Sequence, residues 1–130
     1  MAEIEWYAAG GVYDPPSHAQ GVKVTGAHTL LFIAGQVAFD EHGRPAHGRD
    51  FPAQAREVFR SLQAQLEAGG GTLRDVVKLT TYLTDIRYRE ELNPIREEFF
   101  GPKLPAHTQV AIAALGRPDW LIEVEAIAVL

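Results

Sequence analysis

The segment Leu121 to Leu130 constrains this chain more than any other, because every side chain in it is apolar except Glu123 and Glu125. A β-strand points successive side chains to opposite faces. Ile122, Val124, Ala126, Ala128 and Leu130 therefore share one side, and Ile127, Val129 and the two glutamates share the other. Such a strand belongs in a sheet with one helix-covered face and one open face. Apolar residues left on the open face call for a second copy of the chain to cover them.

The rest of the chain supplies the sheet and its cover. Ile4 to Ala8 alternates around Trp6 and Tyr7, and Gly21 to Gly26 alternates around Val22 and Val24; both read as strands. Thr29 to Ala34 is nearly all apolar, so it is expected to be covered on both faces. Gly26-Ala27-His28 reads as the hairpin turn joining the two, and Gly35-Gln36 ends the later strand at a point of close backbone approach. Asp50 suits a helix cap, with Pro52 in the first turn. Ala55, Val58, Phe59, Leu62 and Leu66 then form one apolar stripe, stopped by Gly69-Gly70-Gly71. Val76 to Leu83 is a Val- and Thr-rich strand. Tyr88, Leu92, Ile95 and Phe99 mark a second helix ending at Gly101-Pro102, with Pro94 expected to kink or split it. His107 to Ala113 is the remaining strand. This order predicts one α+β domain over residues 1–130: a six-stranded mixed sheet with two helices packed on one face.

Charge and composition narrow the function. The net charge is −5, and the twelve basic residues are scattered rather than gathered in a stripe with aromatics, which argues against a nucleic-acid partner. No cysteine is present, so disulfides, thiolate zinc sites and thiol nucleophiles are excluded. No run approaches the roughly 18 apolar residues of a membrane span. The acidic start, Met1 to Trp6, lacks the layout of a signal peptide. These features predict a cytoplasmic protein with no membrane partner.

Chemistry has few places to sit. Glu123 and Glu125 point the same way, and a carboxylate among Ile, Val and Ala loses solvation, which raises its pKa and suits proton exchange near neutrality. Spacing alone equally fits the polar face of an edge strand, or a salt bridge across a subunit contact. His42 and His47 lie in the polar segment Asp40 to Asp50, and His28 lies in the turn; these three read as solvated. His18 and His107 each stand where a loop gives way to a strand, a common place for site residues. No ligand spacing for a metal appears. Gly69-Gly70-Gly71 follows a helix, whereas phosphate loops precede one. Ser17 and Ser61 have no histidine–acid set nearby to activate them.

Read together, these segments resemble the Rid family, the YjgF-type reactive-intermediate deaminases. His18-Ala19-Gln20-Gly21-Val22 resembles its P-Y-x-Q-G segment, and Leu31 to Gln36 resembles its S-G-Q segment. Asp75 to Leu83, Leu92 to Gly101, Leu104-Pro105-Ala106-His107-Thr108 and Ile122 to Val129 match its later strands and second helix in order. The resemblance implies a chorismate-mutase-like fold, a homotrimer with small-molecule clefts between subunits, and hydrolysis of enamines or imines to a carbonyl compound and ammonia without metal or cofactor. It implies that Glu123 is the catalytic residue, positioning the attacking water. His107, His18, Gly35, Ala34 and Thr108 would bind substrate, and Glu125 would be a structural or interface residue.

Three departures accompany the resemblance. His107 stands where the archetypal deaminases have an arginine that grips the substrate carboxylate. His18 replaces a tyrosine, and Ala34 replaces a frequent serine. Imidazole offers one hydrogen bond where guanidinium offers a fork, and carries full charge only below about pH 6.5. The substrate is therefore expected to differ from the family's usual 2-iminopropionate, with an aminomuconate-like enamine as one candidate class. Alternatives are a non-catalytic trimer that binds small carboxylated metabolites, and an endoribonuclease, which the acidic balance disfavours.

Overall fold

The helical stripe read from the sequence lies on a sheet whose centre is the apolar terminal strand. The structure is a computed structural model and describes residues 2–130. Strands β1 (Glu3–Tyr7), β2 (Gly21–Thr25) and β3 (Leu30–Gln36) precede helix α1 (Phe51–Ala68). Strand β4 (Val76–Leu83), helix α2 (Arg89–Phe100), β5 (Ala106–Ala111) and β6 (Ile122–Val129) follow. Asp50 caps α1 by accepting from the Ala53 N–H at 3.1 Å, Pro52 occupies its first turn, and Gly69 closes it. Pro94 lies inside α2, yet the helix is neither ended nor split there. The carbonyl that loses its partner to Pro94 is that of Glu90, and both residues are exposed, so water can take the missing donor's place.

The main sheet has the order β3-β6-β4-β5. β6 runs antiparallel to β3 and β4 on either side, and β5 runs parallel to β4 at the far edge. The two glutamates are thus on a central strand, which removes the edge-strand explanation for them. Ile122, Val124, Ala126 and Ala128 join Val58, Phe59, Leu62 and Leu66 in a single core beneath α1.

The expected single six-stranded sheet is not formed. β1 and β2 pair only with each other, as a separate antiparallel ribbon, so the six strands make two sheets. The cause lies in the segment taken for a hairpin turn. Gly26 adopts a left-handed φ of 73°, and the next free donors, the N–H groups of His28 and Thr29, bond the carbonyl of Leu130 instead of β2. β3 also differs from the expectation of two covered faces. Leu31 and Ile33 pack on the core, whereas Leu30 and Phe32 are 55% and 71% exposed on the face away from the helices. Among the described residues, no helix is long and apolar enough to cross a membrane.

Candidate functional site

Register between β3 and β6 slips where the sequence places Gly35. Ile33 faces Ala126 and Gln36 faces Val124, so Ala34 and Gly35 share the space of one residue, a β-bulge. The side chain of Glu123 lies across this bulge: a Cβ at position 35 would overlap its carboxylate. Gly35 thus makes room for Glu123. The Gln36 amide steadies the bulge by donating to the Ala34 carbonyl at 3.0 Å.

Glu123 and Glu125 share the open face, as alternation requires, but their surroundings differ. The Tyr82 hydroxyl donates a hydrogen bond to Glu125, and that bond raises the tyrosine's own pKa. Glu123 accepts no hydrogen bond from a described side chain. Burial raises its pKa, and the negative charge of Glu125 raises it further. One carboxylate is fixed by a side-chain donor, and the other is not. Elsewhere on this face, Thr108 accepts from the Lys78 ammonium at 2.8 Å.

The two candidate histidines meet elsewhere. Ala19 N–H bonds the Leu104 carbonyl at 2.9 Å and Leu104 N–H bonds the Ser17 carbonyl at 2.8 Å, clamping the His18 segment to the chain that leads into β5. His18 and His107 then stand edge to face with ring centroids 6.1 Å apart. His18 Nδ1 shares a hydrogen bond with the Ser17 hydroxyl at 3.0 Å, and His107 Nε2 shares one with the buried Thr81 hydroxyl at 2.9 Å. They line a cavity of about 230 Å³ with Arg89, Asn93 and Arg96 of α2.

Burial is the main cause of the shifted histidine pKa values there. It pushes His107 down to about 4, helped by the positive charges of Arg96, His18 and Lys78. It lowers His18 too, with Arg96 the next contributor. The expectation of a charged imidazole at 107 just below pH 6.5 is therefore corrected: the ring stays neutral down to about pH 4. Two guanidinium groups line this cavity, Arg96 buried in its wall and Arg89 exposed at its rim.

The site residues named from sequence accordingly fall into two groups. Glu123, Gly35, Ala34 and Thr108 belong to the open face. His107 sits opposite Leu79 and bonds Thr81, so it points to the helix-covered side, with His18 beside it. Glu123 is two strands away from His107 and on the other face. Within one protomer, Glu123 does not face the histidine pair.

Arg96 was not among the sequence candidates. Its signal was present: Leu92, Ile95, Arg96 and Phe99 have the spacing of one helix face, so a guanidinium occupies a position that the stripe assigns to an apolar side chain. Of the remaining histidines, His28 and His42 are exposed, and His47 lies 3.6 Å from a Glu57 oxygen. Among the described residues, no three His, Asp or Glu side chains gather to hold a metal ion.

Comparison with known proteins agrees with this architecture. The family model described as Endoribonuclease L-PSP matches residues 14–130. A RutC family protein of Pyrococcus horikoshii is 39% identical over 111 residues, covering 85% of each chain. The crystal structure of YyfB, a Rid-family protein of Yersinia pestis, superposes with a TM-score of 0.84 at 30% identity over 98% of both chains. That of RidA from the Antarctic bacterium Psychrobacter does so with a TM-score of 0.71 at 36% identity, over 96% of this chain and 94% of its own. A match this long, with relatives this similar, leads to one conclusion: the chain belongs to the Endoribonuclease L-PSP family, the YjgF or Rid proteins.

Proposed function

We propose that this protein is a metal-independent hydrolase that converts a small enamine or imine to a carbonyl compound and ammonia, in clefts between the subunits of a homotrimer. The observation that carries this reading is Glu123 itself. It is a central-strand carboxylate seated on a bulge glycine, with a pKa raised by burial, beside a second carboxylate that Tyr82 holds in place. A group poised closer to neutrality can both take and return a proton.

The steps follow from that property. An enamine first takes a proton from solvent on carbon to give the protonated imine. Glu123 as carboxylate takes a proton from water while the water oxygen bonds to the imine carbon, and the C=N π pair moves to nitrogen. The resulting carbinolamine then collapses: protonated Glu123 delivers its proton to the nitrogen, the C–N bond breaks as the C=O bond forms, and the hydroxyl proton passes to the regenerated Glu123 carboxylate and from there to solvent. The sum is imine plus water giving carbonyl plus ammonia.

Assembly supplies what a protomer lacks. Leu30 and Phe32 flank the bulge on an uncovered face, and a neighbouring copy seated there would bring its own histidine cavity towards Glu123. A second reading, a trimer that binds carboxylated metabolites without turnover, is favoured by one observation: Glu123 does not line the cavity that holds Arg96.

Ammonia release from a panel of enamines generated in situ decides between them. Glu123→Gln is expected to lose about 10²- to 10⁴-fold in turnover with binding retained. Unchanged turnover in that variant would end the catalytic reading, and binding without any turnover across the panel would establish the second. His107→Arg, assayed on 2-iminopropionate, is expected to gain activity.

A further inference from the structure

We infer that the cavity between β5 and α2 is an anion site whose cation is Arg96, and that it takes the carboxylate of a small organic acid. The inference rests on reading this cavity as half of the substrate cleft, and it moves the cation of that cleft from a strand to a helix.

Arg96 is only 8% exposed, a rare setting for a guanidinium without a carboxylate partner. Its Nε donates to Asn93 Oδ1 at 3.0 Å and its Nη1 reaches the Ser17 carbonyl at 3.4 Å. Both acceptors are neutral. Guanidinium has five N–H groups, so most of its donors are left over at the cavity. Arginines that do pair with a carboxylate are more exposed, as are Arg56 with Glu98 at 3.0 Å and Arg87 with Asp85 at 2.5 Å. Among the described residues, Arg96 forms no ion pair with any acidic side chain. The cost of burying such a charge is offset when an anion enters.

The surroundings select the kind of anion. His18 and His107 add directional hydrogen-bonding groups without adding charge, and Asn93 fixes the plane of the fork through Nε. One buried fork, with neutral imidazoles beside it and a second guanidinium only at the rim, matches a single carboxylate presented edge-on for two parallel bonds. A phosphate dianion would want further charge at the same depth, and Arg89 lies at the exposed rim of the cavity. A cavity of about 230 Å³ sets the scale of the ligand, a few carbons beyond the carboxylate.

The test is binding without turnover, so that failure of the deaminase chemistry leaves it readable. Crotonate, its uncharged amide crotonamide, and inorganic phosphate are titrated into the wild-type protein, followed by calorimetry and by the NMR signals of arginine Nε–H groups. Crotonate is expected to bind at least about tenfold more tightly than either competitor and to shift the Arg96 signal. Arg96→Met should lower crotonate affinity about tenfold or more, with Arg96→Lys between the two. Arg87→Met, the same charge change outside the cavity, should leave affinity as it is. Equal binding of crotonate and crotonamide, equal binding of phosphate, no saturable crotonate binding, or an equal loss in Arg87→Met would each overturn the inference. Should Arg96→Met fail to fold, the wild-type comparison and Arg96→Lys still decide it.

Discussion

The carboxylate of Glu123 lies over the α-carbon of Gly35, in space that a Cβ at that position would occupy. The glycine is therefore a packing requirement of the glutamate. Its φ is not in the left-handed region, so alanine could adopt the backbone without strain. Substitution should act on the carboxylate and spare the fold.

Gly35→Ala is expected to displace Glu123 and lower turnover about 10- to 100-fold, because a shift near 1 Å at a reacting group has that effect. The melting temperature should stay within a few degrees of wild type. Circular dichroism melts beside the ammonia assay check both halves, and full activity in the variant would show that the contact has no bearing on chemistry.

Glu123 should also leave a mark on stability. Its folded-state pKa is raised above the ordinary 4.5, so the folded protein holds this proton more tightly than the unfolded chain does. The favourable contribution is complete below pH 4.5 and is lost as pH rises through the raised folded value. Glutamine mimics the protonated form at every pH. Glu123→Gln should therefore melt higher than wild type at neutral pH, and the gap should close in acid. A gap that persists unchanged to pH values well below 4.5 would count against the raised pKa.

What the sequence made legible was local or periodic. β6 announced itself through a long apolar run, and α1 through its stripe, its Asp50 cap and its glycine stop. What it hid was decided between distant segments. Gly26-Ala27-His28 has the chemistry of a hairpin turn, but the partner of its N–H groups is Leu130, a hundred positions later. Arg96 carried a weak signal as a charge within a stripe, and its meaning depends on Ser17 and His18 arriving from the other end of the chain. The division of the site across the sheet was equally unreadable. Whether His107 shares a face with Glu123 depends on the registers β5–β4 and β4–β6, and no single segment encodes them.

His107 makes the opposite pH prediction. Its folded-state pKa is depressed from 6.5 to about 4, chiefly by burial, so the folded state prefers the neutral ring. The stabilisation is complete above pH 6.5 and is lost as pH falls through about 4. His107→Gln should flatten the fall in melting temperature across that window. NMR titration of the imidazole should give a midpoint near 4 for His107, and a midpoint near 6.5 would show a solvated ring instead.

The separation of Glu123 from the histidine cavity within one protomer makes the division of labour between subunits testable. If each cleft joins Glu123 of one copy to the Arg96 cavity of the next, Glu123→Gln and Arg96→Met damage different halves of the same site. With substrate well below saturation, each variant alone should be impaired in every cleft. Co-expressed at equal levels and assembled at random, they should restore roughly one quarter of the clefts, since each cleft needs its glutamate from one variant and its cavity from the other. In the proposed trimer, a tag on each variant removes the two impaired pure species, and every mixed trimer then carries one restored cleft in three, so turnover of the purified mixture should approach roughly one third of wild type. If both halves acted within one protomer, mixing would restore nothing, because each chain would carry its own lesion into its own site.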